Sequence, residues 1–220
     1  MMNIILIAPP AAGKGTESKM IETDYSIPHI STGDLLRTAG SKNDELGKEI
    51  TKLISTGAFV SDQIILKLIE NRIANDDCKR GYILDGFPRD IAQAQEYDKI
   101  LEKQKKEISY VFVIDIDKEI AKSRILSRRI CENCGRVYNL NSKALSPRKL
   151  GICDDCKTTL IKREDDNAIT YEKRYNSYLE KTAPLIEYYD KKGVLYHING
   201  NVDKDYTHDQ IKEILREKND

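Results

Sequence analysis

A lysine that lies between two glycines and precedes a threonine is the first feature of the sequence that could do chemistry. Residues 13–16 follow an apolar run, residues 3–7, and open a segment with helical character, residues 14–24. A loop that leads from a buried strand into a helix directs several backbone N–H groups and the positive end of the helix dipole at one point. Lys14 adds a mobile positive charge, and the hydroxyl of Thr16 could reach a phosphate or a magnesium ion. The segment therefore predicts a phosphate-binding loop.

Two alanines occupy positions of this loop where glycine is expected. The pattern G-x-x-x-x-G-K-[ST] fails at its first position, which is Ala8, and at its last, where Gly15 stands. Glycine serves in such loops where φ is positive or where the backbone approaches a ligand closely. Because the lysine and its neighbours are present, we expect a working loop in which Ala8 and Ala11 both have negative φ. A positive φ at either would mean strain of about 1–2 kcal/mol.

Four of the five cysteines form two pairs with the spacing of metal-binding knuckles. Two residues separate Cys131 from Cys134 and Cys153 from Cys156, and 18 residues lie between the pairs. Four thiolates in zinc-ribbon spacing, with no histidine nearby, predict a closed tetrahedral site with a structural role. Iron also binds such sulfur ligands, and a pair of disulfides is the alternative. Cys78 stands apart, and we interpret it as a small buried side chain.

The segment that contains the four cysteines is basic. From residue 126 to residue 163 there are nine Lys or Arg residues and three acidic residues, in a chain whose net charge is zero. Four thiolates on one Zn²⁺ would lower this excess of six to about four. We predict that 130–163 is an inserted unit, stabilised by metal in place of a hydrophobic core. A basic unit of this kind can close over an anionic ligand and exclude water.

Short apolar runs alternate with helical patterns along the rest of the chain. Strands are predicted at 3–7, 81–85, 109–115 and 194–198, and helices at 14–24, 62–75, 90–106, 117–129, 167–191 and 205–217. This alternation predicts an α/β fold with a parallel, doubly wound sheet, whose ligands bind beyond the carboxyl ends of the strands. Arg124 and Arg128 are four residues apart within one predicted helix, so we expect one helix face to carry both.

The composition is that of a globular protein, with 40% hydrophobic and 33% charged residues. Its 220 residues suffice for one domain with insertions or for two small domains. The 36 basic residues balance the 36 acidic ones, so no overall field attracts nucleic acid or a membrane. No apolar run approaches the ~20 residues of a membrane span, and none has the character of a signal peptide. We therefore expect a cytoplasmic protein with no nucleic-acid and no membrane partner.

Two longer strings, HISTGDLLR at 29–37 and YILDGFPRDIAQ at 82–93, indicate a protein family more specifically than the phosphate loop does. With GKGT, SRILSRRIC, GRVY, REDD and KTAPLIEYY, they follow the order found in adenylate kinases. The sequence resembles a long-type bacterial adenylate kinase with a metal-bearing lid, and the resemblance covers nearly the whole chain. It implies the fold of a P-loop nucleoside monophosphate kinase. The implied parts are a core of 1–30, 61–126 and 164–220, a helical AMP-binding insert of 31–60, and a zinc-binding lid of 127–163.

The resemblance implies an activity and its ligands. The activity is reversible, Mg²⁺-dependent phosphoryl transfer from ATP to AMP, giving two ADP and maintaining adenine nucleotide balance, in a monomer with structural Zn²⁺. The implied catalytic residues are Lys14, Arg89, Arg124, Arg128, Arg163 and Arg174. Those implied to bind ATP are Ala11, Ala12, Gly13, Lys14, Gly15, Thr16, Arg124, Arg128, Arg136, Val137, Tyr138 and Val202. Those implied to bind AMP are Thr32, Gly33, Arg37, Gly57, Ala58, Phe59, Val60, Gly86, Phe87, Arg89, Gln93, Arg163 and Arg174. Asp85, Asp34 and Thr16 are implied to hold Mg²⁺ through water, and Cys131, Cys134, Cys153 and Cys156 to bind the lid metal.

The residue types are consistent with that chemistry. Phosphoryl transfer needs cations around the transferred group, and a phosphate acceptor is already ionised, so no general base is required. The three histidines, His29, His197 and His208, form no triad pattern, and we interpret them as structural or surface residues. For Thr32 a helix N-cap, and for Arg89 a contact that pins its loop, are alternative roles.

Three other functions stay open. The first is a kinase for UMP/CMP or GMP. The second is a nucleic-acid-binding zinc ribbon on a P-loop scaffold, which would need stacking aromatic residues, and the lid has only Tyr138. The third is a nucleotide-binding regulator with a disabled loop, which the two alanines favour and the full set of arginines disfavours.

Overall fold

The computed structural model describes residues 1–42, 44–55 and 60–218 of the chain. Its strands are β1 (Met2–Ile7), β2 (His29–Ser31), β3 (Gly81–Asp85), β4 (Tyr110–Asp115), β5 (Arg128–Ile130), β6 (Val137–Asn139) and β7 (Leu195–Asn199). Its α-helices are α1 (Lys14–Tyr25), α2 (Thr32–Gly40), α3 (Glu45–Ser55), α4 (Asp62–Ile73), α5 (Ile91–Lys103), α6 (Lys118–Ser127), α7 (Ala168–Ser177), α8 (Pro184–Asp190) and α9 (Lys204–Glu217). A 3-10 turn at Asp76–Cys78 and a π-helical turn at Tyr178–Thr182 are also present.

Packing divides the chain into two units. The first unit consists of Met1–Ile7, Ser18–Val113 and Lys181–Tyr196. The second consists of Ala8–Glu17, Ile114–Glu180 and His197–Asp220, of which residues 219–220 lie outside the described part. Helix α1 and the strands β4 and β7 pass from one unit into the other along the chain.

Five strands form a sheet in the order β2-β3-β1-β4-β7. Strand β1 pairs in parallel with β3 and β4, and β3 pairs in parallel with β2. The strands β1, β3 and β4 are largely hydrophobic because a parallel sheet buries the side chains of both its faces. The side chains of Ile4, Ile5, Ile83, Leu84 and Val111 are buried accordingly. The predicted α/β fold with a parallel sheet flanked by helices is confirmed.

The helix predicted at 117–129 is too long. Helix α6 ends at Ser127, because Arg128 has an extended backbone with ψ of 139° and begins β5. The antiparallel partner of β5 is β6, with Arg128 opposite Asn139. The hydroxyl of Ser127 donates to the carbonyl of Ser123 at 2.8 Å and lies 2.8 Å from Asn139 Oδ1. The expectation that one helix face carries both Arg124 and Arg128 is therefore wrong.

The helix predicted at 167–191 is likewise wrong in extent. The segment consists of α7, the π-helical turn at Tyr178–Thr182, and α8, which begins at Pro184. Proline has no N–H for the helical ladder and fits at the first position of a helix, so it marks a new start. Asn167 begins α7 by accepting a hydrogen bond from Thr170 N at 2.9 Å.

The other predicted boundaries are closer to the structure. Strands β1, β3, β4 and β7 agree with the predicted strands to within one residue. Strand β2 and the β5–β6 pair were not predicted, because three residues are too few to show a period. Among the described residues no helix is both long and apolar enough to cross a membrane.

Candidate functional site

In the first unit, the segments 29–37 and 82–93 meet at the carboxyl ends of β2 and β3. Ser31 and Asp85, the last residues of these strands, are register partners. Just beyond them, the hydroxyl of Thr32 donates to the carbonyl of Gly86 at 3.3 Å. Gly86 has a φ of 79°, and a Cβ there would lie 3.1 Å from the Thr32 hydroxyl. The N-cap of α2 is Ser31, so the alternative role of Thr32 as an N-cap is wrong.

Arg89 pins its own loop, as its alternative role requires. Its Nε donates to the carbonyl of Gly86 at 3.0 Å, and its backbone N–H donates to Gln93 Oε1 at 2.9 Å. Gln93 in turn donates to Asp62 Oδ1 at 2.6 Å. The structure therefore brings together Thr32, Gly86, Arg89 and Gln93, all expected to bind AMP. Arg89 is exposed and Phe87 is buried.

The acidic residues expected near magnesium have partners in the first unit. On α2, Asp34 forms an exposed ion pair with Arg37. Asp85, at the end of β3, has a carboxylate oxygen 3.4 Å from His29 Nε2. Gly33 lies in the first turn of α2, and a Cβ there would lie 3.4 Å from a guanidinium nitrogen of Arg37. Val60 is half-buried, and Gly57, Ala58 and Phe59 lie outside the described residues.

In the second unit, the predicted phosphate loop precedes and opens α1. The ammonium group of Lys14 donates to the carbonyl of Ala8 at 3.0 Å, so the lysine folds across its own loop. The backbone N–H groups of Thr16 and Glu17 donate to the carbonyl of Gly13. Gly13 has a φ of 108°, with open space where a Cβ would point. Glycine is therefore required here for the positive φ and not for a close contact.

Ala11 corrects the prediction made for the two alanines. Its φ is 65°, so the expectation of negative φ is wrong at this position. The reason is a turn in which Ala12 N donates to the Pro9 carbonyl at 3.3 Å. Proline at the second position, here Pro10, and positive φ at the third are the signature of a type II turn. An alanine in this conformation bears strain of about 1–2 kcal/mol. Its methyl group packs against a buried cluster of Ala121, Ile125 and Tyr171.

Arg124 joins the loop to another expected ATP residue. Its guanidinium donates to the carbonyl of Ala12 at 3.5 Å and to that of Val202 at 3.0 Å. Burial lowers the pKa of Arg124, yet an arginine stays protonated at neutral pH. The structure thus places a half-buried positive charge directly at the phosphate loop.

Two acidic residues with no predicted role, Asp166 and Asp165, bind Arg128 and Arg174. Asp166 is wholly buried and accepts a hydrogen bond from Arg128 Nε at 2.8 Å. Asp165 forms an ion pair with Arg174 at the surface. Arg163 is exposed, and its carbonyl accepts from Asp166 N at 3.1 Å. The string REDD that contains these acids was the available signal.

The four cysteines of the lid converge. Their sulfur atoms all lie within 4.8 Å of one another. Cys131 and Cys153 are buried with Leu160 in one cluster. Hydroxyl groups lie beside two of the sulfurs, from Thr158 to Cys131 at 3.3 Å and from Tyr138 to Cys153 at 3.4 Å. Four converging sulfurs with nearby hydroxyl donors fit a tetrahedral metal ion of the kind the spacing predicts.

Tyr138 belongs to the interior of the lid. Its side chain is 1% exposed, and its hydroxyl accepts from Asp154 N at 2.7 Å. The guanidinium of Arg136 lies 5.0 Å from the centre of the tyrosine ring and donates to both carboxylate oxygens of Asp155. Any contact of Tyr138 with ATP therefore has to come from its backbone, whereas Val137 is exposed.

A buried pair at the base of the phosphate loop escaped the sequence analysis. Glu17 is 2% exposed and His208, on α9, is 4% exposed. Their side chains are 3.2 Å apart, although 191 positions separate them in the sequence. Burial raises the pKa of Glu17, and the hydrogen bond to His208 opposes that rise. His197 is exposed and pairs with Asp115 at 2.7 Å.

Known proteins resemble this chain over nearly all its length. The family model of adenylate kinase matches residues 6–194. An adenylate kinase of Thermotoga petrophila is 44% identical over 98% of this chain and 96% of its own. One of Kosmotoga olearia is 46% identical over 96% of this chain and 97% of its own, and one of a Geobacillus species is 42% identical over 97% and 98%. On this match, which includes the predicted phosphate loop and the segments 29–37 and 82–93, the chain belongs to the adenylate kinase family.

Proposed function

We propose that this chain is an ATP:AMP phosphotransferase, which transfers a phosphoryl group reversibly from ATP to AMP and gives two ADP. The observation that carries the proposal is the loop before α1, where Lys14 and Arg124 bring positive charge to backbone carbonyls of one short segment. Membership in the adenylate kinase family supports the same reaction. The activity would maintain the balance of adenine nucleotides.

The donor nucleotide is assigned to the second unit. The loop offers backbone N–H groups and the N-terminus of α1 to the ATP phosphates. Lys14 would exchange its contact with the Ala8 carbonyl for a phosphate oxygen. Arg124, Arg128 and Arg174 supply positive charge, and the acidic partners of the last two fix where their guanidinium groups lie. Fixed positive charge stabilises the charge that develops on the transferred phosphoryl group.

The acceptor nucleotide is assigned to the first unit. Thr32, Arg37, Arg89 and Gln93 lie beyond the carboxyl ends of β2 and β3, which is where ligands bind on parallel sheets. The AMP phosphate is ionised at neutral pH, so it attacks without a general base. What the protein must provide is alignment of the two phosphates in line.

A magnesium ion fits the acidic residues present. In the first unit Asp85 and Asp34 offer carboxylates, the hard oxygen ligands that Mg²⁺ prefers, usually through water. When bound with ATP, the ion neutralises charge on the phosphate oxygens. The pairing of Asp85 with His29 and of Asp34 with Arg37 orients both carboxylates.

A structural Zn²⁺ is assigned to Cys131, Cys134, Cys153 and Cys156. Four thiolates leave no open position on the metal, so its role is to stabilise the lid, residues 127–163. We assign 31–60 as the AMP-binding insert and 1–30, 61–126 and 164–220 as the core. Closure of the lid would exclude water from the reacting phosphates. We place the protein in the cytoplasm, since cysteines that form no disulfide suit a reducing compartment. We assign it as a monomer from its likeness to the adenylate kinase family.

One observation favours a second function. The positive φ of Ala11 means that the loop bears strain, which a regulator with a disabled loop would tolerate. Against this reading, the strained turn is held by the cluster beneath it, and Lys14 and Arg124 both contact the loop. A regulator would bind ATP without turnover.

A coupled assay with four monophosphates tests the proposal. ADP formation from ATP is measured with AMP, UMP, CMP or GMP as acceptor, with and without Mg²⁺. We expect turnover with AMP that requires Mg²⁺ and little turnover with the other three. A preference for UMP, CMP or GMP would assign the chain to another monophosphate, and ATP binding without any turnover would favour the regulator.

A further inference from the structure

We propose that the methyl group of Ala11 is a positioning element that fixes the phosphate loop against α6 and α7. The proposal rests on the assignment of this loop to the donor phosphates. Ala11 makes its contribution by holding the backbone that would bind ATP, and not by touching the reacting atoms.

The backbone of Ala11 is confined from two sides. Pro10 before it has a fixed φ, and the bond from Ala12 N to the Pro9 carbonyl closes the turn. Once this hydrogen bond has formed, the backbone of Ala11 is held at its positive φ. Glycine would adopt the same φ without strain, but it would also move freely away from it. Alanine at this position therefore bears strain but restricts the loop backbone more than glycine would.

The methyl contact lies on the face of α6 that carries Arg124. Ala121, Arg124 and Ile125 are spaced by three and four positions, so they share one face of the helix. Ala11 packs against the cluster that contains Ala121 and Ile125, while Arg124 donates to the carbonyl of the next loop residue, Ala12. The apolar contact and the hydrogen bond thus fix the same stretch of loop on the same helix.

Helix α7 completes the cluster. Tyr171 is wholly buried, and its hydroxyl donates to the carbonyl of Lys118 in the first turn of α6 at 2.8 Å. Arg174 lies three positions after Tyr171, and Tyr175, four positions after it, also packs against the cluster. Ala11 therefore contacts a cluster built from the two helices that carry Arg124 and Arg174. Loss of its methyl group would loosen the loop relative to both arginines.

Steady-state kinetics of Ala11→Gly test this inference. We expect the KM for ATP to rise about three- to tenfold with little change in the KM for AMP, since one methylene-sized contact is lost at the donor loop only. The melting temperature should change little, because relief of strain offsets the lost contact. Ala74→Gly, at an exposed position after α4, is the matched control and should leave both KM values unchanged.

A double-mutant cycle with Ile125→Val separates positioning from general destabilisation. Ile125→Val should raise the KM for ATP in the parent chain and have a smaller effect in Ala11→Gly, because Ile125 belongs to the cluster against which Ala11 packs. An unchanged KM for ATP in Ala11→Gly, or an equal rise in both KM values, would overturn the inference. Full activity in Lys14→Ala would overturn the assignment of the loop as well, whereas inactive Lys14→Ala with normal Ala11→Gly overturns only the role of the methyl.

Discussion

Replacement of Tyr138 by phenylalanine removes one hydroxyl from the interior of the lid. That hydroxyl lies 3.4 Å from Cys153 Sγ, to which it donates, and it accepts from Asp154 N at 2.7 Å. With the side chain 1% exposed, water does not replace it. The orphaned Asp154 N–H costs about 1–3 kcal/mol. Loss of a donor to a metal-ligating thiolate lowers metal affinity about 10–100-fold, which corresponds to about 1.4–2.7 kcal/mol.

A competition assay on the full chain measures this effect. Metal analysis should first find one Zn²⁺ per chain, and a chromophoric chelator then reports the affinity of the parent and of Tyr138→Phe. We expect the affinity of Tyr138→Phe to fall about 10–100-fold. Tyr206→Phe is the matched control, because its ring is 47% exposed on α9. Equal affinities in Tyr138→Phe and Tyr206→Phe would refute the account of the lid, as would a parent chain that holds no metal.

Two further predictions concern buried acids of the second unit. Asp166→Asn keeps the shape of the side chain but removes the charge that holds Arg128, so kcat should fall about tenfold, which is ~1.4 kcal/mol in the activation free energy. Asp209→Asn, at an exposed position, is the control and should not change kcat. Equal values of kcat in the two variants would contradict the role of Asp166. Burial raises the pKa of Glu17 above its ordinary value of 4.5, so the folded state holds the Glu17 proton more tightly than the unfolded state does. The free energy of unfolding therefore falls as the pH rises above 4.5 and through the raised pKa. Glu17→Gln should therefore raise the melting temperature of the chain relative to the parent at neutral pH and flatten its fall with rising pH, in thermal melts from pH 4 to pH 8; a lower melting temperature at neutral pH would instead show that the pair with His208 is net stabilising.

Local pattern accounts for much of the fold. Short apolar runs predicted β1, β3, β4 and β7. For β1, β3 and β4 the signal is clear because a strand buried on both faces carries apolar side chains on both. The spacing of the four cysteines was enough to predict that their sulfur atoms converge, because two short knuckles have the pattern of a metal site. Helix ends were harder to predict: α6 stops at Ser127 because β5 pairs with β6, a tertiary contact that helical periodicity does not encode.

The details of the candidate site depended on geometry that the sequence expresses weakly. The positive φ of Ala11 follows from a turn whose only local signal was Pro10. The pair of Glu17 and His208 joins opposite ends of the sequence, so no local pattern reveals it. Asp166 stood in a string that was recognised, yet its role became visible only through its bond to Arg128.

The rate of ADP formation from ATP and AMP, measured in the parent chain and in Lys14→Ala, tests the central claim most directly. We predict AMP-dependent turnover in the parent and its loss in Lys14→Ala, with an unchanged melting temperature showing that the fold is intact. No AMP-dependent turnover in the parent, or retained turnover in Lys14→Ala, would contradict the account.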